Sequence, residues 1–389
     1  MAQATAPKLY DVLIVGGGPA GLAMAVGLAR QVYSALVLDS GEYRNARAAH
    51  IHTVPGFDHA SPASFRDKIR RDLRERYASV EFRSATVTRL RRIQRAPASP
   101  SPSAASDTTA AAAVAPAAAN GATSDGKDAA SGGEWLFEAT DEQGNVYTGR
   151  KLGLGTGVRD VFPLDIPGYD ECWGRGIFHC MFCHGFEERG AESAGVLAGG
   201  MMTSADMLAH IAPMVKRLAR SITVYTNGDE DLAAATRAKL HSGKIRFDTR
   251  RIARVGLAHP PKLHHHHHHQ HQDEGEDSSS GNSDAASTAV TLHFDDGTTA
   301  TEGFVANHPA VEQRAGNLVA ELGLQVGAAG EVRVRAGPGN EAEGVDGCFV
   351  AGDMATPMRS VVKALEMGTF AAAGLVAAMN AELDARDEL

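Results

Sequence analysis

Basic charge is scarce in this 389-residue chain, where 38 lysines and arginines are outweighed by 47 aspartates and glutamates for a formal net charge of −9. That balance offers no footprint for nucleic acid or an anionic lipid surface, so neither is an expected partner. Long apolar runs are missing as well: no stretch of about 18 apolar residues reads as a membrane span. Met1 leads into strand-forming sequence without a basic-then-apolar leader, which predicts no secretory signal. Cysteine is rarer still, with four residues in all, too few for a disulfide framework. Together these absences predict a cytoplasmic protein in a reducing setting, with room for two ordinary domains. The terminal Arg386-Asp387-Glu388-Leu389 looks like a retention address for the endoplasmic reticulum, but with no leader to bring it to a receptor it reads as a solvated tail.

Two stretches nearly lack bulky apolar side chains. Residues 96–133 are almost entirely Ala, Pro, Ser, Thr, Gly and Asp, a composition that cannot offset the entropy of ordering it, and they are expected to form a disordered insertion at a hairpin tip. Residues 259–287 form a second such insertion and contain six consecutive histidines, His264 to His269. A histidine run without fixed geometry binds metal adventitiously, so no functional metal site is assigned.

Against this background Cys180-Met181-Phe182-Cys183-His184-Gly185 brings two thiols and an imidazole into one turn. A C-x-x-C pair can close a small disulfide, and it lowers one thiol pKa below the usual ~8.5. His184 follows directly, and an imidazole titrating near 6.5 is the side chain best suited to carry a proton to or from sulfur at about pH 7. Cys180, Cys183 and His184 are therefore the candidate catalytic residues. Two other readings of the pair remain, half of a zinc site or two small core side chains. Zinc would need a second ligand pair, and Cys172 and Cys348 are isolated. His184 could instead hydrogen-bond a carbonyl beside the turn.

The N-terminal region supplies a second signal. An apolar run from Tyr10 to Val15 is followed by Gly16-Gly17-Gly18-Pro19-Ala20-Gly21, a helix-forming stretch Leu22 to Arg30, and a second apolar run Ala35 to Leu38 ending at Asp39. In this strand-turn-helix-strand order Gly16 permits the tight turn, Gly18 the approach of a pyrophosphate and Gly21 close helix packing, while Asp39 can accept from a ribose hydroxyl. A bound dinucleotide is the expected consequence. Farther on, a helix is predicted from Ser64 to Tyr77, half-buried strands at Val80–Phe82, Thr86–Leu90 and Trp135–Ala139, a strand and glycine turn at 151–157, and a crossover at 163–169. The pattern then recurs in degraded form. Gly195 to Gly200 is a strand and turn that keeps Gly200 but has Ala198 and Thr203 at the outer glycine-like positions, and a helix is predicted from Ser204 to Arg220. After the strand Ile222–Tyr225 come Asp229, Glu230 and Asp231, where a nucleotide 2′-phosphate would want arginines. Cys348 to Val350 is a last strand, ending in Gly352-Asp353, before a long Ala-rich helix from Ser360 to Met379.

The glycine fingerprint, the Thr156-Gly157 turn, the C-x-x-C after a crossover and Gly352-Asp353 before an apolar helix occur in the order that resembles low-molecular-weight thioredoxin reductase. The resemblance implies an α/β fold of two Rossmann-like three-layer domains: a discontinuous FAD-binding domain, 1–163 and 306–389, around a domain at 164–305 that carries the C-x-x-C. It implies a homodimer, with FAD held by Gly16, Gly18, Pro19, Ala20 and Gly21 at the pyrophosphate and Asp39 and Ser40 at the ribose. Gly352 and Asp353 would meet the ribityl chain, and Arg359, Ser360 and Val361 the flavin ring. Arg44, Asn45, His52, Val54, Thr156 and Gly157 complete that set, and His50 and His52 are candidates for shaping the substrate pocket. Cys183 would lie next to the flavin and Cys180 would exchange with substrate. Three departures, His184 after the second cysteine, the degraded second fingerprint and the missing arginines, make the chain similar to the gliotoxin-oxidase branch of dithiol oxidases. That branch implies a small dithiol substrate and O2 as partners. An NADPH-dependent disulfide reductase, and a flavin-containing sensor without turnover, are the alternatives.

Overall fold

The computed structural model describes residues 8–95, 134–163, 165–258, 289–337 and 339–387. The stretches expected to be insertions, 96–133 and 259–287, lie outside the described residues, as do Glu388 and Leu389. Along the chain, β1 (Leu9–Val15), α1 (Pro19–Arg30), β2 (Ala35–Asp39), α2 (Pro62–Arg76) and β3 (Val80–Ser84) make two parallel crossovers, followed by β4 (Val87–Arg95), β5 (Glu134–Asp141) and β6 (Val146–Leu154). β7 (Val158–Val161), α3 (Tyr169–Cys172), β8 (Ile177–Phe178) and α4 (Met181–His184) lead into a second alternating run. That run is β9 (Ala191–Leu197), α5 (Ala205–Lys216), β10 (Ala219–Tyr225), α6 (Glu230–Lys239) and β11 (Ile245–Asp248). β12 (Ile252–Leu257), β13 (Val290–Phe294), β14 (Thr299–Glu302), β15 (Val305–Ala306), β16 (Ala310–Gln313), α7 (Gly316–Glu321), β17 (Cys348–Val350) and α8 (Val361–Asp384) complete it.

Two sheets follow from two runs of alternating strand and helix. The first has the order β3-β2-β1-β6-β5-β4, with β17 joined in parallel to the end of β6. Its central strands are apolar on both faces because both faces are covered: Leu13, Val15, Leu36 and Leu38 enter one core, while Val12, Ile14, Ala35 and Val37 enter the other. The second sheet, β11-β10-β9-β15-β8, is parallel throughout. Between them the chain crosses twice, and the crossings pair as an antiparallel ribbon of β7 and β16. The fold is thus α/β with two Rossmann-like layered units, as the resemblance implies. Near the first low-complexity stretch, β4 and β5 pair until Arg95 faces Glu134.

Two expectations need correction. The helix predicted from Ser204 to Arg220 ends at Lys216, because Ala219 begins the parallel pairing of β10 with β9. The chain also contains a helix long and apolar enough, by length and composition alone, to cross a membrane: α8 has 24 residues and a most apolar window of mean hydropathy 1.5. Here its small residues serve packing against α1. A Cβ added at Gly368 would lie 2.3 Å from the Ala20 carbonyl oxygen, and one added at Gly27 would lie 2.4 Å from the Ala372 Cβ. That approach buries Met24, Leu28, Met367 and Leu375 in one core, and each side chain of this size contributes about 1.5–3 kcal/mol when fully buried.

Candidate active site

A cavity of about 350 Å³ is lined by the turn after β1, the end of β2, the turn after β6, residues of the 40–53 loop, the segment 351–364, and Cys183 with two histidines, His179 and His184. Its floor depends on glycine at two places. Gly16 has φ +107°, and a Cβ there would lie 2.4 Å from the Gly155 carbonyl oxygen; a Cβ at Gly21 would lie 1.8 Å from that of Gly16. Gly18 differs: its φ of −76° suits any residue, and an added Cβ would meet nothing within 4 Å. Gly18 is also the N-cap of α1, and no side chain caps that helix, so its first-turn N–H groups and positive dipole end are left for an anion. The space beside Gly18 is thus free of protein and suited to a pyrophosphate. Gly18→Val is expected to fold normally by far-UV circular dichroism yet purify without yellow colour; full flavin content in that variant would remove the pyrophosphate from this turn.

Polar groups around the cavity are partly committed. Asp39 Oδ1 accepts from the backbone N–H of Gly17 and Gly41, both at 3.2 Å; its Oδ2 accepts from Tyr43 at 2.5 Å and pairs with Arg70. A ribose hydroxyl would have to share this carboxylate with Tyr43 and Arg70, neither of which the sequence singled out. Arg44 holds Asp160 through Nη2 at 2.7 Å and Nε at 3.1 Å, and reaches Asp353 at 3.2 Å. Burial pushes the Asp353 carboxyl above its usual range, and the Arg44 charge offsets this only in part. Arg359 donates from Nε to the Asp353 carbonyl at 3.3 Å. Its two Nη atoms are buried and have no hydrogen-bond partner among the described residues. A buried guanidinium without acceptors is costly, and a cofactor carrying phosphate or ring carbonyls would supply them. The donor set and the open space at Gly18 both fit FAD.

The cysteine pair is closed: Cys180 and Cys183 form a disulfide with Cα atoms 5.2 Å apart, at the start of the one-turn helix α4. The backbone N–H groups of Cys183 and His184 both donate to the Cys180 carbonyl at 3.1 Å, which fixes the turn. Cys183 lines the cavity and Cys180 does not. His184 stacks on Phe178 with ring centroids 5.0 Å apart. Burial pulls its pKa below the ordinary value, Glu187 opposing and His52 reinforcing the shift. His179, stacked on Trp173 and edge-on to His308, is driven well down by burial and then by Arg44, and His308 is lowered by burial too. The environment beside the disulfide therefore favours neutral imidazoles.

Of the residues expected at the cofactor, Gly16, Gly18, Pro19, Ala20, Asp39, Ser40, Arg44, Asn45, His52, Thr156, Gly157, Gly352, Asp353, Arg359, Ser360 and Val361 all line this one cavity. Gly21 and Val54 do not: Gly21 lies against Gly16, and Val54 is buried with Ile51 and Phe65 under the 50–60 loop. Both are packed against protein. His179 was missed although it directly precedes Cys180, a position that could have flagged it. Asp160 and His308 carried no local signal, since only the paired crossings bring them near Arg44.

At the second glycine turn the chain itself closes on Gly200, while the space beside Gly199 is open. A Cβ at Gly200 would lie 2.4 Å from the His308 carbonyl oxygen, the Met201 N–H donates to that same oxygen at 2.8 Å, and Met202 is buried. Ser204 caps α5 by accepting from Met207, and Asp229 caps α6 by accepting from Leu232. The absence of arginines holds only locally in sequence, because Arg251, from the loop after β11, lies against Gly228 with side-chain atoms 3.0–3.4 Å from an added Cβ.

Comparison with known proteins gives one consistent result. Residues 10–368 match the pyridine nucleotide-disulphide oxidoreductase family. The chain is 35% identical to thioredoxin reductase aclD of Aspergillus oryzae, over 95% of this chain and 96% of that one. It is 31% identical to thioredoxin reductase sirT of Leptosphaeria maculans over the whole of both. An oxidoreductase from Agrobacterium tumefaciens of solved structure is similar with a TM-score of 0.67 and 25% identity, covering 96% of this chain and 99% of that one. Thioredoxin reductase-like in sequence and fold, this chain belongs to the pyridine nucleotide-disulphide oxidoreductase family and is an FAD-binding, flavin-dependent thiol-disulfide oxidoreductase.

Proposed function

We propose that this protein is a dithiol oxidase that closes a disulfide in a small molecule of the epidithiodiketopiperazine kind, with electrons passing through Cys180 and Cys183 and FAD to O2 and release of H2O2. The observation that carries this reading is the disulfide itself, with Cys183 on the cavity, Cys180 off it, and His184 held neutral alongside. A substrate thiol gives its proton to His184 and attacks Sγ of Cys180, breaking the Cys180–Cys183 bond and releasing Cys183 as thiolate. The second substrate thiol then attacks the substrate sulfur of the mixed disulfide and passes its proton to the departing Cys180 sulfur, closing the substrate disulfide and releasing Cys180. Two electrons and two protons have left the substrate. When bound, FAD would supply a two-electron acceptor for the reduced cysteine pair, with O2 as the proposed final oxidant.

In this reading residues 1–163 and 306–389 hold the cofactor and residues 164–305 carry the cysteine pair. Gly18 with Gly16, Pro19 and Ala20 would hold the pyrophosphate, Asp39 and Ser40 the ribose, Asp353 the ribityl chain, and Arg359, Ser360 and Val361 the ring. Phe182 and Phe186, both exposed beside the pair, offer apolar contact to a small substrate. The chain's closure on Gly200 supports independence from a nicotinamide nucleotide. A homodimer, on family resemblance, completes the reading, and the proposed setting is the cytoplasm.

A second reading, NADPH-dependent reduction of a small or protein disulfide, is favoured by one observation, the cationic Arg251 against Gly228. Anaerobic mixing of the yellow protein separates the two. A small dithiol is expected to bleach the flavin and NADPH is expected not to, and admitted air should restore the colour with one H2O2 per dithiol oxidised. Rapid bleaching by NADPH, with no peroxide from any small dithiol, would establish the reductase instead.

A further inference from the structure

We propose that His52, His59 and Glu187 form a site for a divalent transition metal, zinc by preference, at the edge of the cavity that His52 lines. Each of the three offers a ligand atom, and these atoms lie within 4.8 Å of one another. A tetrahedral zinc with ligands at ~2.0–2.1 Å holds them roughly 3.3–3.4 Å apart. His52 Nε2 and Glu187 Oε1 already stand at 3.4 Å, so closing the site asks only for a small movement of the exposed His59 ring.

The surroundings of these side chains are those of a ligand set. His52 Nδ1 lies 3.4 Å from Asp58 Oδ1, so that carboxylate is within reach to serve as the outer partner that orients a metal-bound imidazole. His59 is held by its backbone N–H to the Ile51 carbonyl at 2.9 Å and by stacking on His50 at 3.8 Å between centroids. Two imidazoles and one carboxylate leave a fourth position for water or an incoming thiolate, the composition of an open zinc site. The ligands come from separate parts of the fold. His52 and His59 belong to the loop before α2, and Glu187 follows the cysteine helix α4, so a bound metal ties the cofactor-side loop to the segment carrying the disulfide. This inference stands on geometry independent of the oxidase reading.

The test is calorimetric titration of ZnCl2 into the oxidised, flavin-loaded protein without reductant, where the closed disulfide cannot bind metal. His264 to His269 are first replaced by glutamine, because that run would bind the same ion. One zinc per chain is expected, with affinity falling at least about tenfold in His59→Asn and in Glu187→Gln. Asparagine is chosen because His59 has φ +62°, a conformation asparagine tolerates. Flavin content and far-UV circular dichroism show whether each variant is folded, and either folded variant decides. An absent parent isotherm, or an isotherm unchanged in the folded variants, overturns the site.

Discussion

Replacing either cysteine of the pair by serine is expected to abolish turnover while leaving FAD bound, and the two variants are expected to fail in different ways. Cys183 lines the cavity and Cys180 does not. In Cys180→Ser the remaining Cys183 thiolate faces the cofactor cavity and should give a long-wavelength charge-transfer absorbance that grows as pH rises through the thiol pKa. Cys183→Ser should lack that band. Its Cys180 has lost its partner, so a mixed disulfide with an activated thiol would persist on it, readable as added mass. A thiolate is the attacking and leaving species at each step, so neither serine can substitute. Reversal of the two signatures would exchange the roles of the cysteines, and appreciable turnover in either variant would remove the pair from catalysis.

These candidate roles could be proposed from the sequence because their signals are local. A strand, three spaced glycines, a helix and an acid at the next strand end fall within 39 residues, and the C-x-x-C-H string lies within five, so spacing alone carries the chemistry. What stayed hidden depends on contacts between distant segments. Arg70 on Asp39, Asp160 beneath Arg44, and His308 beside His179 meet only through tertiary packing. Apparent losses can be equally local: the acids after β10 argue against a 2′-phosphate site, whereas Arg251 returns a cation to the same turn from the far side of β11. Val54 shows the reverse case, a position inside a motif-rich loop whose side chain the fold buries with Ile51 and Phe65.

His184→Ala is expected to retain FAD and the disulfide but to lose roughly 10²–10⁴ in turnover, the usual contribution of a general base. The sign of its pH dependence follows from the site. Burial lowers the His184 pKa, Glu187 only partly opposing, so at pH 7 the imidazole is unprotonated and able to accept the substrate proton. Wild-type turnover should therefore hold below pH 6.5 and decline only as pH falls through the lowered pKa. In the alanine variant the substrate must arrive already ionised, so its rate should climb with pH toward the substrate thiol pKa, by about tenfold per unit while the thiolate fraction is small. The ratio of wild-type to variant turnover should shrink over the same range. A ratio that stays constant with pH would assign His184 to holding the turn through its stack on Phe178, and an unchanged rate would take the imidazole out of the mechanism.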